Sequence, residues 1–389
     1  MSTTSVIYAD HSASTPPHPE VIRTLTEVTQ RIYANPSSIH EWGGQADQLV
    51  QRARAVIAEA LRVKHSEVLF TSGATESNNL AVFGVVRAMQ SQGKPVHVIV
   101  SKIEHASVYA CYEQLEREGV EVTYLPVNAS GLVEPEQLKL ALKPHTALVS
   151  IMHVNNETGS IQPLKELGAL IKAESRALFH VDGVQGLGKL PVELASWKVD
   201  LYSLSGHKIR APKGVGLLIH RGQFPLKPLM YGGSQEKGLR PGTMNVPSIV
   251  ALAKGVRLAT EGQEAAYGQL RQLHDQLVDY LQTQPQLIIN SPLEEAFGAP
   301  HIINISFVGM KPEVVVHAME KRGVILSTQS ACSSKLDKPS RVLTAMTKDN
   351  ARAASGLRIS LAPDMTLEQV ELIAKALAET VNELKGLIR

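Results

Sequence analysis

A chain of 389 residues is too long for one compact hydrophobic core, so its length predicts two domains. A formal net charge of +2 does not indicate a protein that binds nucleic acid. No apolar run approaches the length of a bilayer span. Two cysteines cannot form a disulfide framework or a thiolate metal cluster, and the first residues lack the pattern of a signal peptide. We therefore expect a cytoplasmic protein that binds neither metal, nucleic acid nor membrane.

Strand-like apolar runs alternate with helical patterns over the first two thirds of the chain. A helical pattern over residues 21–32 comes first. The alternation predicts a mostly parallel sheet covered on both faces, an α/β fold whose ligands bind beyond the carboxyl ends of the strands. The strands are predicted at 68–70, 96–100, 122–127, 147–154, 178–184, 199–204 and 215–219, and the helices between them at 75–89, 106–117, 134–142 and 163–175.

From about residue 247 the pattern changes to long helices, followed by a second and smaller α/β set. Helices are predicted at 249–260, 264–282, 312–321 and from 367 to about 388, and strands at 302–307, 324–327 and 357–361. We therefore predict a large domain over residues 15–258 and a small domain formed by residues 1–14 and 259–389.

One lysine lies in a tight polar turn between two of the predicted strands. Lys208 ends the run Ser205-Gly-His-Lys208, and a Pro-Lys-Gly follows it. An amine held off any solvated helix face can be oriented and partly desolvated, as a nucleophile toward an aldehyde must be. About 20 residues upstream, Asp182 ends a short apolar strand. Pyridoxal phosphate enzymes need both a Schiff-base lysine and an acid partner for the pyridinium nitrogen, so the two residues predict this cofactor.

Residues 71–78 follow a predicted strand and open a helix. Backbone N–H groups at a helix start, together with hydroxyl groups, suit a phosphate, although this motif alone favours an ordinary Ser/Thr helix cap. The lysine-bearing turn adds Ser205 and His207 as further phosphate donors. The combination favours a phosphate site.

Three further polar residues lie near predicted strand ends. His105 follows the strand at 96–100, where an imidazole could stack on a cofactor ring or move protons. Asn155 and Gln185 could each donate to the phenolic oxygen of that ring. As isolated amides, both could equally be hydrogen-bonding loop residues.

The two cysteines have contrasting surroundings. Cys332 lies in a polar stretch without apolar periodicity, which predicts an accessible loop, and an exposed thiol is a liability unless it is used. Cys111 shares a helix face with Val108 and Leu115. We interpret Cys332 as a nucleophile and Cys111 as a core residue.

Arg358 lies within a predicted apolar strand, where an unpaired charge would be costly. Either an internal carboxylate pairs with it, or the carboxylate of a substrate does so through a bidentate contact. The sequence leaves both possibilities open.

Taken together, these segments resemble the cysteine desulfurases of the class-V aminotransferase group, which are pyridoxal phosphate enzymes of fold type I. The resemblance runs essentially from end to end. The motifs that carry it lie at residues 8–16, 35–40, 71–78, 104–105, 153–159, 180–185, 205–208, 232–243, 330–334 and 357–361.

The resemblance implies the conversion of L-cysteine to L-alanine by a homodimer that passes sulfur to an acceptor or scaffold protein, for iron–sulfur cluster assembly or another thiolation pathway. Lys208 would form the Schiff base, and Cys332 would take the sulfur as a persulfide. Arg358 and Asn155 would bind the substrate carboxylate. The implied cofactor contacts are His105 against the ring, Asp182 at the pyridine nitrogen, Asn155 and Gln185 at the phenolic oxygen, and Ala74, Thr75, Ser205, His207 and a second subunit's Thr243 at the phosphate.

The chain departs from the family pattern at several positions where glycine is usual. Gln329 precedes Ser-Ala-Cys, Ala211 precedes Pro-Lys-Gly, and Ala362-Pro363 follows the last predicted strand. Pro241 replaces a common serine. These changes affect loop stiffness and acceptor choice rather than the chemistry. The alternatives are a selenocysteine lyase, another class-V transaminase or lyase, and a non-catalytic paralogue serving as a scaffold.

Overall fold

The computed structural model describes residues 6–328 and 339–387. None of the helices in these ranges is both long and apolar enough to span a bilayer. The helices are α1 (Pro19–Arg31), α2 (Glu41–Ala60), α3 (Ala74–Gln90), α4 (Ala106–Arg117), α5 (Pro135–Ala141), α6 (Leu164–Glu174), α7 (Val246–Glu261), α8 (Gln263–Gln282), α9 (Pro312–Lys321), α10 (Arg341–Thr347), α11 (Asn350–Ala354) and α12 (Leu367–Leu384).

A seven-stranded sheet forms the centre of the larger part of the molecule, with strand order β2-β8-β7-β6-β5-β3-β4. Only β8 runs antiparallel to its neighbours, so the predicted α/β fold with a mostly parallel sheet is confirmed. The strands are β2 (Val68–Thr71), β3 (His97–Ser101), β4 (Glu121–Leu125), β5 (Thr146–Ser150), β6 (Leu178–Asp182), β7 (Leu201–Ser205) and β8 (Gly216–His220).

Two apolar layers cover the two faces of this sheet. Val98 and Val100 pack in one layer with side chains of α3 and α4, whereas Ile99 between them packs in the other with α1, α2, α6 and α7. The alternation follows from the two-residue period of a strand, and burial on both faces explains why the strands consist of continuous apolar runs.

A separate core joins the two ends of the chain. Here β1 (Ile7–Tyr8) pairs in parallel with β11 (Val324–Ile325), and β10 (Ile302–Ser306) lies between β9 (Ile288–Ile289) and β12 (Gly356–Ser360) in an antiparallel sheet. Side chains of α8, α9 and α12 pack against these strands. The predicted domain limit at residues 258/259 falls in the last turn of α7, one turn before α8 begins, and the division stays a prediction.

The main differences from the predicted elements are α2, α10 and α11, which are absent from the predictions. The buried face of α2 includes Ala46 and Ala53 beside Val50 and Ile57. Small alanines give little hydrophobic contrast, so the helical period is weak in the sequence. The strand predicted at 147–154 is also shorter, because the chain leaves the sheet after Ser150 and turns toward the cavity described below.

A buried ion pair fixes the segment before α7 to the sheet. Both guanidinium Nη atoms of Arg54 contact the carboxylate of Glu236, at 2.5 and 3.0 Å, and Phe70 N–H donates to the same carboxylate at 2.9 Å. The Glu236 side chain is 3% exposed. Removing one partner of such a pair leaves an uncompensated buried charge.

We expect Glu236→Ala to lower the free energy of unfolding by about 3 kcal/mol, since Arg54 and Phe70 N–H both lose the Glu236 carboxylate as an acceptor. The Arg54→Met/Glu236→Ala double variant should lose less than the sum of the two single variants. Urea denaturation followed by circular dichroism measures both quantities. Strict additivity, or a loss below 1 kcal/mol for Glu236→Ala, would contradict the buried pair as the anchor of this segment.

Candidate active site

A cavity of about 550 Å³ lies at the carboxyl ends of β2, β6 and β7 and beside the segments that follow β3 and β5. Side chains from distant parts of the chain meet there because parallel strands end at the same edge of the sheet. The predicted site residues that line the cavity are Ala74, Thr75, His105, Asp182, Gln185, Ser205, His207, Lys208 and Arg358.

Lys208 ends a single 3₁₀ turn directly after β7. The turn depends on Gly206, because a Cβ there would lie 2.7 Å from the Pro212 carbonyl oxygen. The Lys208 ammonium donates to the backbone carbonyls of Ser12 and Ala13, the latter at 2.8 Å. The amine is therefore oriented by the N-terminal segment and not by bulk water.

Residues of the N-terminal segment also hold the backbone of this turn. Thr15 donates to the His207 carbonyl through its amide at 3.0 Å and its hydroxyl at 2.8 Å. The same hydroxyl accepts from Arg210 N–H at 3.1 Å. These bonds join residues nearly 200 positions apart in the sequence. A long-range contact therefore holds the turn that carries Lys208 in place.

The carboxylate of Asp182 is buried at the end of β6 and lines the cavity. Its Oδ2 accepts from Asn78 Nδ2 at 2.8 Å and its Oδ1 from Val184 N–H at 3.1 Å. Two donors stabilise the charged form of a carboxylate, which suits a partner for a protonated ring nitrogen. Asn78, one turn into α3, positions this carboxylate. It belongs to the motif at residues 71–78, but the motif alone does not indicate this role.

His105 caps α4, and its Nδ1 accepts from Ser107 N–H at 3.2 Å. This contact assigns the imidazole proton to Nε2. Burial lowers the pKa of His105, against the opposing effect of the Asp182 carboxylate. A neutral ring beside the cavity can stack on an aromatic cofactor or exchange a proton with it.

The start of α3 forms one wall of the cavity. Gly73 caps this helix without a side chain, which leaves the N–H groups of the first turn available to a ligand. The strand β8 passes so close that a Cβ on Gly216 would lie 2.6 Å from Gly73 Cα. The Ser205 and Thr75 hydroxyl groups complete a set of neutral donors suited to a phosphate.

Two basic residues and a histidine extend the phosphate-binding wall. Burial, followed by the charges of Lys208, Lys213 and Lys189, lowers the pKa of His207 to about 4. His207 is therefore neutral at pH 7, and Lys208 and Lys213 supply positive charge to the same cavity. The cavity therefore combines a helix N-terminus, an amine, a carboxylate and an imidazole. This set of groups fits pyridoxal phosphate.

Arg358 has an internal carboxylate partner, the first of the two possibilities left by the sequence, and it also lines the cavity. Its Nη2 donates to Asp10 Oδ1 at 2.8 Å and its Nη1 to the Asn156 carbonyl at 2.8 Å. Its Nε has no partner among the described residues. Arg358 is therefore a buried cation, at 1% exposure, whose charge is held next to the cavity by Asp10.

The two adjacent asparagines have different surroundings. The Asn155 amide donates to the Ile103 carbonyl at 2.9 Å, and its oxygen accepts from the N–H groups of Glu157 and Thr158 at 2.9 Å each. Asn155 does not line the cavity, whereas Asn156 does. The geometry therefore favours Asn156 for the contacts expected of Asn155. Sequence patterns alone cannot distinguish two neighbouring amides in one motif.

The remaining predicted residues lie elsewhere. Thr243 is exposed on the segment before α7 and does not line the cavity. Cys332 and Gln329 lie outside the described residues. Cys111 is buried in α4, as predicted, and burial raises the pKa of its thiol to about 12. A thiol with that pKa stays protonated and unreactive at neutral pH.

One departure from the family pattern has a local compensation. The Ala211 side chain is buried against α7 at Gly255, where an added Cβ would lie 2.7 Å from the Ala211 methyl group. A glycine on the helix thus makes room for the extra methyl group beside the lysine turn. Pro363 lies away from this cavity, in the lining of a second one.

The comparisons with known proteins agree with this geometry. The family model for class-V aminotransferases matches residues 7–373. A NifS/IcsS protein homolog from Lactobacillus delbrueckii subsp. bulgaricus is 41% identical over 375 residues, which cover 96% of this chain and 97% of that protein. Cysteine desulfurase IscS from Methanosarcina thermophila is 38% identical over 98% of this chain and 93% of its own length. A solved NifS-like protein superposes with a TM-score of 0.90 at 34% identity, covering 97% of this chain and 100% of the other.

We expect Lys208→Ala to abolish the yellow colour of protein purified with pyridoxal phosphate, because an imine requires this primary amine. Borohydride reduction of the wild type should leave a pyridoxyl adduct on the peptide that contains Lys208, as detected by mass spectrometry. Lys213→Ala is the matched control, since Lys213 lines the same cavity, and it should keep the colour. An adduct on Lys213 would contradict the assignment.

Proposed function

The chain belongs to the class-V aminotransferase family, and from this membership we propose that it is a pyridoxal phosphate-dependent cysteine desulfurase. The observation that carries the proposal is the meeting of Lys208, Asp182 and Arg358 around one cavity. An amine, a carboxylate and a guanidinium group in that arrangement suit an aldehyde cofactor and an amino-acid substrate. The relatives named as cysteine desulfurases extend along nearly the whole chain and supply the reaction.

When bound, pyridoxal phosphate would supply an electron sink for the substrate. Lys208 would provide the amine for its aldehyde and would accept or donate a proton at Nζ. Asp182 would keep the ring nitrogen protonated, and His105 would support the ring face. Gln185, whose Nε2 donates to the Ser12 carbonyl at 3.0 Å, lines the cavity within this arrangement.

Arg358 is the proposed contact of the substrate carboxylate. Its positive charge and its position in the wall of the cavity support this role. Asp10 already occupies Nη2, which offsets the cost of keeping the guanidinium charge buried before the substrate arrives. The amide of Asn156 is the proposed second contact, in place of Asn155.

Sulfur transfer is proposed to use Cys332, whose position within a polar segment supports an accessible thiol. Its thiolate would attack the sulfur of L-cysteine, so that an S–S bond forms as the Cβ–S bond breaks. The electron pair remains on Cβ, which takes a proton and becomes the methyl group of L-alanine. Sulfur is oxidised to the persulfide level while carbon is reduced, so the step needs no external oxidant.

An acceptor protein for that persulfide is the proposed destination of the sulfur, in iron–sulfur cluster assembly or another thiolation pathway. A cytoplasmic location, where the thiol would stay reduced, is part of the same proposal. A transaminase would have no use for an accessible thiol. A scaffold without activity would not need Lys208 and Asp182, both of which line the cavity.

A homodimer is the proposed assembly. The segment that carries Thr243 begins near Met230 and Tyr231, which are exposed. Gln235 on this segment contacts Ser37 at 3.5 Å, beside an exposed edge-to-face pair of Tyr33 and Trp42. Large exposed apolar side chains of this kind are typical of a subunit interface. Such an interface would carry Thr243 toward the cavity of the second copy.

We expect Asp182→Asn to retain part of its pyridoxal phosphate but to lose at least about 100-fold in turnover, because a neutral amide no longer keeps the ring nitrogen protonated. Alanine release from L-cysteine measures the effect. Asn78→Asp, which would replace a donor to Asp182 by a repelling carboxylate, should act in the same direction. Near-normal turnover in Asp182→Asn would mean that another group holds the ring nitrogen.

We expect Cys332→Ser to bind pyridoxal phosphate and to change its absorbance on addition of L-cysteine, yet to release no alanine in the presence of a reductant. Cys111→Ser is the matched control and should keep its activity with a modest loss of stability, because its thiol is buried and unreactive. Mass spectrometry of the wild type treated with L-cysteine should find added sulfur on the peptide containing Cys332. Full activity in Cys332→Ser would favour a lyase that expels sulfur directly.

A further inference from the structure

A second lysine, Lys189, contacts the backbone of the turn that carries Lys208. The Lys189 ammonium donates to the backbone carbonyl of Lys208 at 2.6 Å. It lies beyond Gln185 on the segment that follows β6 and Asp182. Lys189 therefore contacts the backbone of the turn, whereas the N-terminal segment contacts the Lys208 ammonium itself.

Lys189 lines a second cavity of about 580 Å³ that shares Lys208 and Gln185 with the first. The lining is largely apolar and includes Leu187, Leu258 and Leu270. A charged amine in such surroundings loses hydration that one carbonyl contact only partly replaces. The cavity also leaves space for a longer side chain at position 189.

Few charged groups are available to neutralise this ammonium. The carboxylate in the cavity wall is Asp364, and it pairs with Arg210 at 3.0 Å. No carboxylate forms an ion pair with Lys189 within residues 6–328 and 339–387. The titratable and charged groups that surround it are Lys208 and His207 in the turn, Arg210 after it, His11 and His18 from the N-terminal segment, His301 before β10, and Asp364.

Three of the four histidines in this set, His11, His207 and His301, add no positive charge at neutral pH. Burial is the first cause that lowers the pKa of each of them, to about 4 for His207 and well below the usual range for His301. Neither ring nitrogen of His301 has a hydrogen-bond partner among the described residues.

Burial, and after it the charge of Lys208, lowers the pKa of Lys189 to about 7. Coulomb repulsion acts equally on both partners, so each ammonium disfavours the protonation of the other. The hydrogen bond to the Lys208 carbonyl fixes Lys189 beside the turn whatever the protonation state of Lys208.

We propose that Lys189 is a positioning residue for the proposed reaction: it holds the Lys208 carbonyl, and when it is protonated its charge opposes protonation of the Lys208 nitrogen. The inference rests on the proposed function, because it concerns the nitrogen that links to the cofactor. Lys189 touches neither cofactor nor substrate in this role. It acts only through Lys208.

The test is a pH titration of the absorbance of the purified protein with bound pyridoxal phosphate and without substrate. Lys189→Arg keeps a charge that does not titrate near neutral pH, and Lys189→Met removes the charge at similar length. We expect the pH at the midpoint of the absorbance change to be lowest in the Arg variant, intermediate in the wild type and highest in the Met variant. The span between the two variants should be about one pH unit.

Opposite shifts in the two variants separate the proposal from a purely structural role, since a disturbed turn would move both midpoints in the same direction. Lys172→Met is the matched control. Lys172 also donates to a backbone carbonyl, that of Ala177 at 2.8 Å, but it lies away from both cavities. This variant should leave the midpoint unchanged, whatever its loss of thermal stability.

Equal midpoints in Lys189→Arg and Lys189→Met, or shifts in the same direction, would overturn the proposal while leaving the desulfurase assignment intact. A wild-type protein that takes up no pyridoxal phosphate, or whose bound cofactor is not attached at Lys208, would contradict the proposed function itself. The two failures are therefore distinguishable in the same set of measurements.

Discussion

The hydrogen bonds between residues 12–15 and the turn that ends at Lys208 are the constraint on which the rest of the site depends. They orient the Lys208 ammonium through the carbonyls of Ser12 and Ala13 and fix the turn backbone through Thr15. The N-terminal segment also continues into β1, which belongs to the second core. The position of the amine is thus coupled to the packing of both halves of the molecule.

The sheet topology explains why the other groups meet at this amine. Successive parallel strands end at one edge, so the segments after β2, β3, β5, β6 and β7 each place a short polar stretch around the same cavity. Each stretch begins from a strand that is buried on both faces, which keeps its first residue in a defined place. Asp182 shows the advantage: it is the last residue of β6, and α3 supplies its amide donor through Asn78.

Charge is distributed so that each buried cation is stabilised to a different degree. Arg358 has a direct carboxylate partner in Asp10, which lets a fully charged group remain buried. Lys208 is surrounded by backbone carbonyls, whose dipoles accept its protons without a full negative charge. Lys189 has one carbonyl and a largely apolar cavity, and its pKa falls accordingly to about 7. This gradation matches a permanent cation for an anionic substrate and, at Lys189, an amine that can lose a proton.

The sequence by itself determined the α/β class, most strands of the large sheet, the turn at Lys208 and the carboxylate at Asp182, because these depend on local periodicity and on residues close together in the chain. It also distinguished a buried Cys111 from a polar surrounding for Cys332. Only the tertiary structure decided that Asp10 pairs with Arg358, that Asn156 rather than Asn155 lines the cavity, and that Lys189 supports the lysine turn. Each of these depends on which direction a side chain points, or on a contact between segments that local patterns do not relate, and periodicity carries no information about either.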